Sequence, residues 1–195
     1  MTSENNESTV SPMAAAVLFQ ASLIPLAVIL AWLLGQPLLA HMELTPLLPV
    51  QVLLGTAFVF ACYLLLIPFG FAWARGLESK VREMLGSLFR GRSFHWALPL
   101  SILAGVGEEL LFRGVIQIAL SNWFNAPVAI LITALLFGLA HAITRAYFIM
   151  ATLMGLYMGL IFLWSGNLLL PILIHALYDW LAISYYLRWH REEPA

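Results

Sequence analysis

Charge is scarce in this sequence. Of 195 residues only 10% are Asp, Glu, Lys or Arg, while 62% are hydrophobic and the mean hydropathy is +0.91. A soluble domain carries about 25% charged residues, so that class is excluded and an integral membrane protein is expected. Cysteine is nearly absent: Cys62 stands alone, which removes both a disulfide framework and a Cys-based zinc site and leaves a small core residue. Also lacking are internal repeats, low-complexity tracts and any linker long enough to separate domains, so residues 1–195 form one membrane domain. No nucleic-acid partner is expected.

What is present is apolar length. Crossing a hydrocarbon core of about 30 Å takes roughly 20 helical residues, and such windows occur at 13–35, 47–74, 97–119, 126–143, 147–165 and 167–187. An all-α bundle of six spans follows. The polar tail over 1–12 holds Glu4 and Glu7 and no cation, unlike the positive start of a signal peptide, so the first span is read as retained. Two N-terminal spans then occupy 13–74, and four more occupy 97–187.

Lys and Arg set the orientation. Apart from Arg113, the cations are Arg75, Lys80, Arg82, Arg90, Arg92, Arg145, Arg188 and Arg191. With six spans all of these share one side, which the positive-inside rule makes the cytoplasm, with both termini there. Between the second and third spans, over 75–95, Leu77, Val81, Met84, Leu85 and Leu88 recur on one helical face with Lys and Arg opposite. That is a basic amphipathic helix lying on the cytoplasmic surface. Trp73, Trp96, Trp123, Trp164 and Trp189 fall near span ends, as interface anchors do. Pro25, Pro68 and Pro171 predict kinks, and Gly155 with Gly159 predicts a close helix approach.

Ionisable residues at the centre of a membrane helix cost about 2.5–3.5 kcal/mol each on insertion scales, which makes each a functional candidate. Three blocks stand out: Glu108-Glu109-x-x-x-Arg113, Phe137-x-x-x-His141 and His175-x-x-x-Asp179. Glu109 and Arg113 are one turn apart with the acid first, the favoured order for a pair, so they brace one another. Glu108 points about 100° away and is free to face another helix, as a general base for water would. His175 and Asp179 share a face, where the carboxylate can orient the imidazole or both can converge on one point. Depth arithmetic is uneven: at 1.5 Å per residue, His141 lies far shallower than Glu108 if Arg145 marks the surface. Either Arg145 snorkels inward from a deeper helix end or the site opens through a water-filled cytoplasmic cavity, the reading that hydrolysis favours because it needs water. Glu108, His141, His175 and Asp179 together make a hydrolytic site, with or without a divalent metal.

EELLFR, FGLAH and HALYD, in that order on separate helices, resemble the EExxxR, FxxxH and HxxxN/B motifs of the CPBP family. These are the CaaX proteases and bacteriocin-processing enzymes, also called Abi, to which the type II CaaX prenyl endopeptidase belongs. The likeness spans about 97–187, including Ser165-Gly166-Asn167-Leu168, and gives the first two spans no catalytic role. It implies that Glu108 and His141 activate water, that His175 and position 179 stabilise the oxyanion, and that Glu109 and Arg113 support the site. It also implies that Glu108, His141 and His175, with Asp179 as a further candidate, could hold zinc, although a metal-free glutamate mechanism is argued for the same family. Asp179 stands where Asn is common, and an ionised carboxylate cannot donate to an oxyanion. Asp179 must therefore be protonated, orient His175 or bind a metal.

The leading expectation is an intramembrane endopeptidase of a bacterial inner membrane. Its substrate would be a membrane-associated peptide: a CaaX-like tail, a leader peptide or a bacteriocin-type precursor. Membrane lipids are the other partner, drawn by the basic surface helix. The alternatives are a non-catalytic immunity or scaffold protein of the same fold and a proton-coupled transporter, for which the sequence lacks the expected inverted repeats.

Overall fold

The computed structural model describes residues 10–66, 72–90 and 93–189. Glu4, Glu7, Pro68, Arg92 and Arg191, and the side chains of Trp73, Arg75 and Trp189, lie outside the described residues. The elements are α1 (Pro12–Leu33), α2 (Leu48–Leu66), α3 (Ala72–Leu88), α4 (Ala97–Glu109), a π-helical segment (Leu110–Gln117), α5 (Ile118–Trp123), α6 (Ala126–Ala140), α7 (Arg145–Ser165) and α8 (Leu169–Trp189). There is no strand among the described residues. The chain is an all-α membrane bundle. By length and composition α1, α7 and α8 can each cross a membrane, and apolar stretches in α2 and α6 are shorter.

Local chemistry sets the helix starts. Ser11, Asn125 and Thr144 each accept a hydrogen bond from a backbone N–H three residues on, satisfying a donor that the first turn leaves orphaned. Pro12 and Pro127 occupy first-turn positions where a missing N–H is harmless. At the other end of α7, Gly166 takes φ 63°, the left-handed conformation that stops a helix. Pro171 departs from expectation. It is the third residue of α8, so it begins that helix and does not interrupt it.

The amphipathic segment is a helix, starting three residues earlier than its expected boundary. Leu85 is buried and Val81 and Leu88 pack with it against Met13, Ala97 and Leu100, whereas Met84 faces outward at 38% exposure. The opposite face carries the pairs Lys80–Glu83 and Arg82–Glu78. Trp96, Trp123 and Trp164 are exposed near helix ends, as interfacial anchors should be.

Glycines decide how closely the helices approach. At Gly105 a Cβ would lie 2.8 Å from the Ile172 carbonyl oxygen, and at Gly107 a Cβ would lie 2.8 Å from that of Gln20. These residues are two apart, so they face nearly opposite sides of α4: α8 packs on one and α1 on the other. Gly155 likewise would meet Ala134, which seats α7 on α6. At the α7–α8 turn, Asn167 bonds both backbone groups of Glu43, so the α1–α2 connection is tied to the start of α8.

Candidate active site

The two adjacent glutamates of α4 serve different neighbours. Glu109 Oε1 accepts from Arg113 Nη1 at 2.9 Å and from His175 Nδ1 at 2.8 Å. Arg113 Nη2 in turn donates to the Gly155 carbonyl at 2.9 Å, and its guanidinium lies 4.8 Å from the centre of the Phe137 ring. One turn on, Gln117 donates to the Gly159 carbonyl at 3.1 Å. The Gly155/Gly159 pair therefore supplies acceptors as well as a close approach. The π-helical segment carries Arg113 and Gln117, and such segments widen a helix and shift its register, often at functional sites.

Glu108 points elsewhere. Its Oε1 accepts from Gln20 Nε2 of α1 at 2.8 Å, and its Oε2 stands 3.6 Å from His141 Nε2. His141 follows the last residue of α6, and its Nδ1 lies 2.8 Å from the Phe137 carbonyl oxygen. Because a carbonyl only accepts, Nδ1 carries a proton, and in the neutral tautomer that this bond selects the Nε2 lone pair faces Glu108. Phe137 stacks edgewise on Phe112 at 5.0 Å and sits 4.5 Å from the His141 ring. It thus separates Arg113 from His141 while holding both.

The depth mismatch disappears in the short α6. At 15 residues it is about 22 Å long, less than a full crossing, and where it ends His141 stands 3.6 Å from Glu108. Burial then grades across the site. The side chains of Glu109 and Arg113 are 0% exposed and Glu108 is 6% exposed, while His141 and Asp179 reach 25% and 30%. Access is from the His141 and Asp179 side.

On α8, His175 Nε2 lies 3.5 Å from Asp179 Oδ2, so both ring nitrogens face carboxylates. Of the three uses open to Asp179, orienting His175 matches this geometry. All the expected residues meet in one region, but the pairing differs in one respect: His175 contacts Glu109 rather than Glu108. Gln20 of α1 and Tyr147 of α7, whose ring stacks on His141 at 6.1 Å, also belong to the site and were not expected. Spacing to His141 was the available signal for Phe137, and nothing in the sequence links Gln20 to Glu108.

For a metal the arrangement is poor. Glu108, His141 and His175 do not converge, and among the described residues no three His, Cys, Asp or Glu side chains are grouped to hold an ion. The residues as placed do not fit a metal, and no step below passes through one.

Residues 90–181 match the family described as type II CAAX prenyl endopeptidase Rce1-like. That segment resembles the Rce1-like family. It contains all three motifs, which supports the CPBP resemblance, and it excludes α1, α2 and α3. Over 92 residues the chain is 33% identical to the uncharacterized protein YpbD of Bacillus subtilis (strain 168), a match covering 47% of this chain and 46% of that protein. The chain thus aligns with about half the length of that relative. No solved structure matches it.

Proposed function

We propose that the protein is an intramembrane endopeptidase that hydrolyses a peptide bond with water activated between Glu108 and His141. One observation carries the reading. Two acceptors, Glu108 Oε2 and the His141 Nε2 lone pair, face each other at 3.6 Å. They are too far apart for a direct hydrogen bond and have no proton to share when the imidazole is neutral. A water donating one proton to each satisfies both and leaves its oxygen lone pairs free to attack.

In the reaction the water oxygen bonds to the carbonyl carbon as its proton passes to the Glu108–His141 pair. The carbonyl electron pair moves onto oxygen. When the tetrahedral adduct collapses, the C–N bond breaks and the captured proton goes to the leaving amine. The oxyanion is assigned to His175. Since Nδ1–H is committed to Glu109, the donor is Nε2–H of a doubly protonated ring, whose charge Glu109 and Asp179 compensate. Glu109 and Arg113 hold that imidazole in place without touching substrate.

The substrate class assigned is a membrane-associated peptide, reached from the side that the distribution of Lys and Arg marks as cytoplasmic under the positive-inside rule. The test is cleavage of quenched peptides, one ending in a farnesylated CAAX sequence and one lacking the lipid, by purified wild-type and Glu108→Ala protein, with products mapped by mass. Cleavage by wild type alone supports the assignment. Equal cleavage by both removes Glu108 from water activation, and no cleavage of any peptide favours a non-catalytic scaffold.

A further inference from the structure

Helix α1 lies outside the Rce1-like segment, yet it delivers a side chain to the carboxylate on which the proposed chemistry depends. Within α1 the polar interruptions are Gln20 and Ser22, together with the N-terminal cap at Ser11. They behave differently. Ser22 returns its hydroxyl to the Phe19 carbonyl of its own helix at 2.7 Å, whereas Gln20 reaches 88 residues along the chain to Glu108 at 2.8 Å.

We propose that Gln20 is a positioning residue that fixes the Glu108 carboxylate so that Oε2 is presented to His141. The inference rests on the Glu108 reading above and adds to it a contribution from outside the matched segment. A carboxylate oxygen only accepts, so Gln20 must turn its NH2 toward Glu108. By occupying Oε1, that bond fixes the carboxylate plane and leaves Oε2, which makes no hydrogen bond among the described residues, opposite His141. The close approach is built into the backbone. Any side chain at position 107 would strike the Gln20 carbonyl, so glycine at that position lets α1 lie against α4 one residue before Glu108. A buried amide is expensive unless bonded; Glu108 satisfies the Gln20 NH2, while the Gln20 Oε1 makes no hydrogen bond among the described residues.

Full-length protein in nanodiscs tests this with Gln20→Met, close in volume but unable to donate, and Gln20→Glu, which can donate only when protonated. With the farnesylated CAAX peptide as probe, Gln20→Met lowers kcat about ten- to a hundredfold, the range for losing a hydrogen bond to a charged group, while KM stays within about twofold. Gln20→Glu restores part of kcat on the acid side, moving the optimum to lower pH, which a purely structural substitution would not do. Independently of cleavage, the infrared carboxylate band assigned to Glu108 by its loss in Glu108→Gln moves in Gln20→Met.

An unmoved band together with wild-type kcat overturns the positioning role. Wild-type protein that cleaves nothing counts against the hydrolytic reading alone, and the infrared band then decides Gln20. If Gln20→Met does not fold, the band and pH profile of Gln20→Glu decide it: both unchanged from wild type would overturn the role.

Discussion

Glu108 and Glu109 are neighbours in sequence and opposites in environment. The Glu109 layer is sealed: its carboxylate accepts from both Arg113 and His175, Arg113 also donates to the Gly155 carbonyl, and Glu109 and Arg113 have no exposed side-chain surface. The Glu108 layer opens toward His141 and Asp179, which are a quarter to a third exposed. Each carboxylate keeps one oxygen without a hydrogen bond among the described residues. The difference is that Glu109 is ion-paired and fully buried and so holds helices in register, whereas the unbonded oxygen of Glu108 faces His141 at the edge of accessible space, where it is available for chemistry. One helical step of about 100° separates the two roles.

The comparison can be broken first at its sealed side. Arg113→Met removes the guanidinium and leaves Glu109 buried without its main partner, so unfolding in a mild detergent should become easier by about 3–5 kcal/mol. A stability change below about 1 kcal/mol would mean that the layer is not a brace. Next in size is Gly107→Ala. The added Cβ meets the Gln20 backbone, an overpacking worth about 1–3 kcal/mol, and cleavage should fall with it as α1 is displaced. Gly86→Ala, where a Cβ meets nothing within 4 Å, serves as the neutral control in the same assay.

Asp179→Asn sharpens the boundary between layers. Replacing a charged partner of His175 by a neutral one weakens a contact by about 1 kcal/mol, so kcat should drop a few-fold. A rise in kcat would instead assign position 179 to oxyanion donation. The smallest effect is expected from chelation: dialysis against EDTA or 1,10-phenanthroline should leave the cleavage rate within about twofold, because the Glu108–His141 pair acts through proton transfer. Loss of activity that returns on adding zinc would contradict that.

Much of this arrangement was legible in the sequence. Hydropathy marked the membrane helices and the amphipathic face of α3, and four-residue spacing anticipated both the Glu109–Arg113 and the His175–Asp179 contacts. The remainder depended on which helices touch, and periodicity reports a face without naming its partner. That is why the His175–Glu109 bond and the reach of Gln20 to Glu108 were invisible. Pro171 was misjudged by a small boundary error: the apolar window begins at 167, which puts Pro171 inside the span, whereas α8 begins at Leu169 and makes it a first-turn residue. His141 looks too shallow only if Arg145 marks the surface, whereas α6 ends at Ala140 and Arg145 opens α7 after a short turn over 141–144.

The most direct test sets Glu108→Gln beside Glu109→Gln in one preparation, measuring kcat on the farnesylated CAAX peptide and the thermal unfolding midpoint of each. Glu108→Gln should lose at least about a hundredfold in kcat with its midpoint unchanged, while Glu109→Gln should lower the midpoint and lose activity only as far as the site loosens. Wild-type rates in Glu108→Gln, or an equal fall in midpoint for both variants, would contradict the division of the two carboxylates into base and brace.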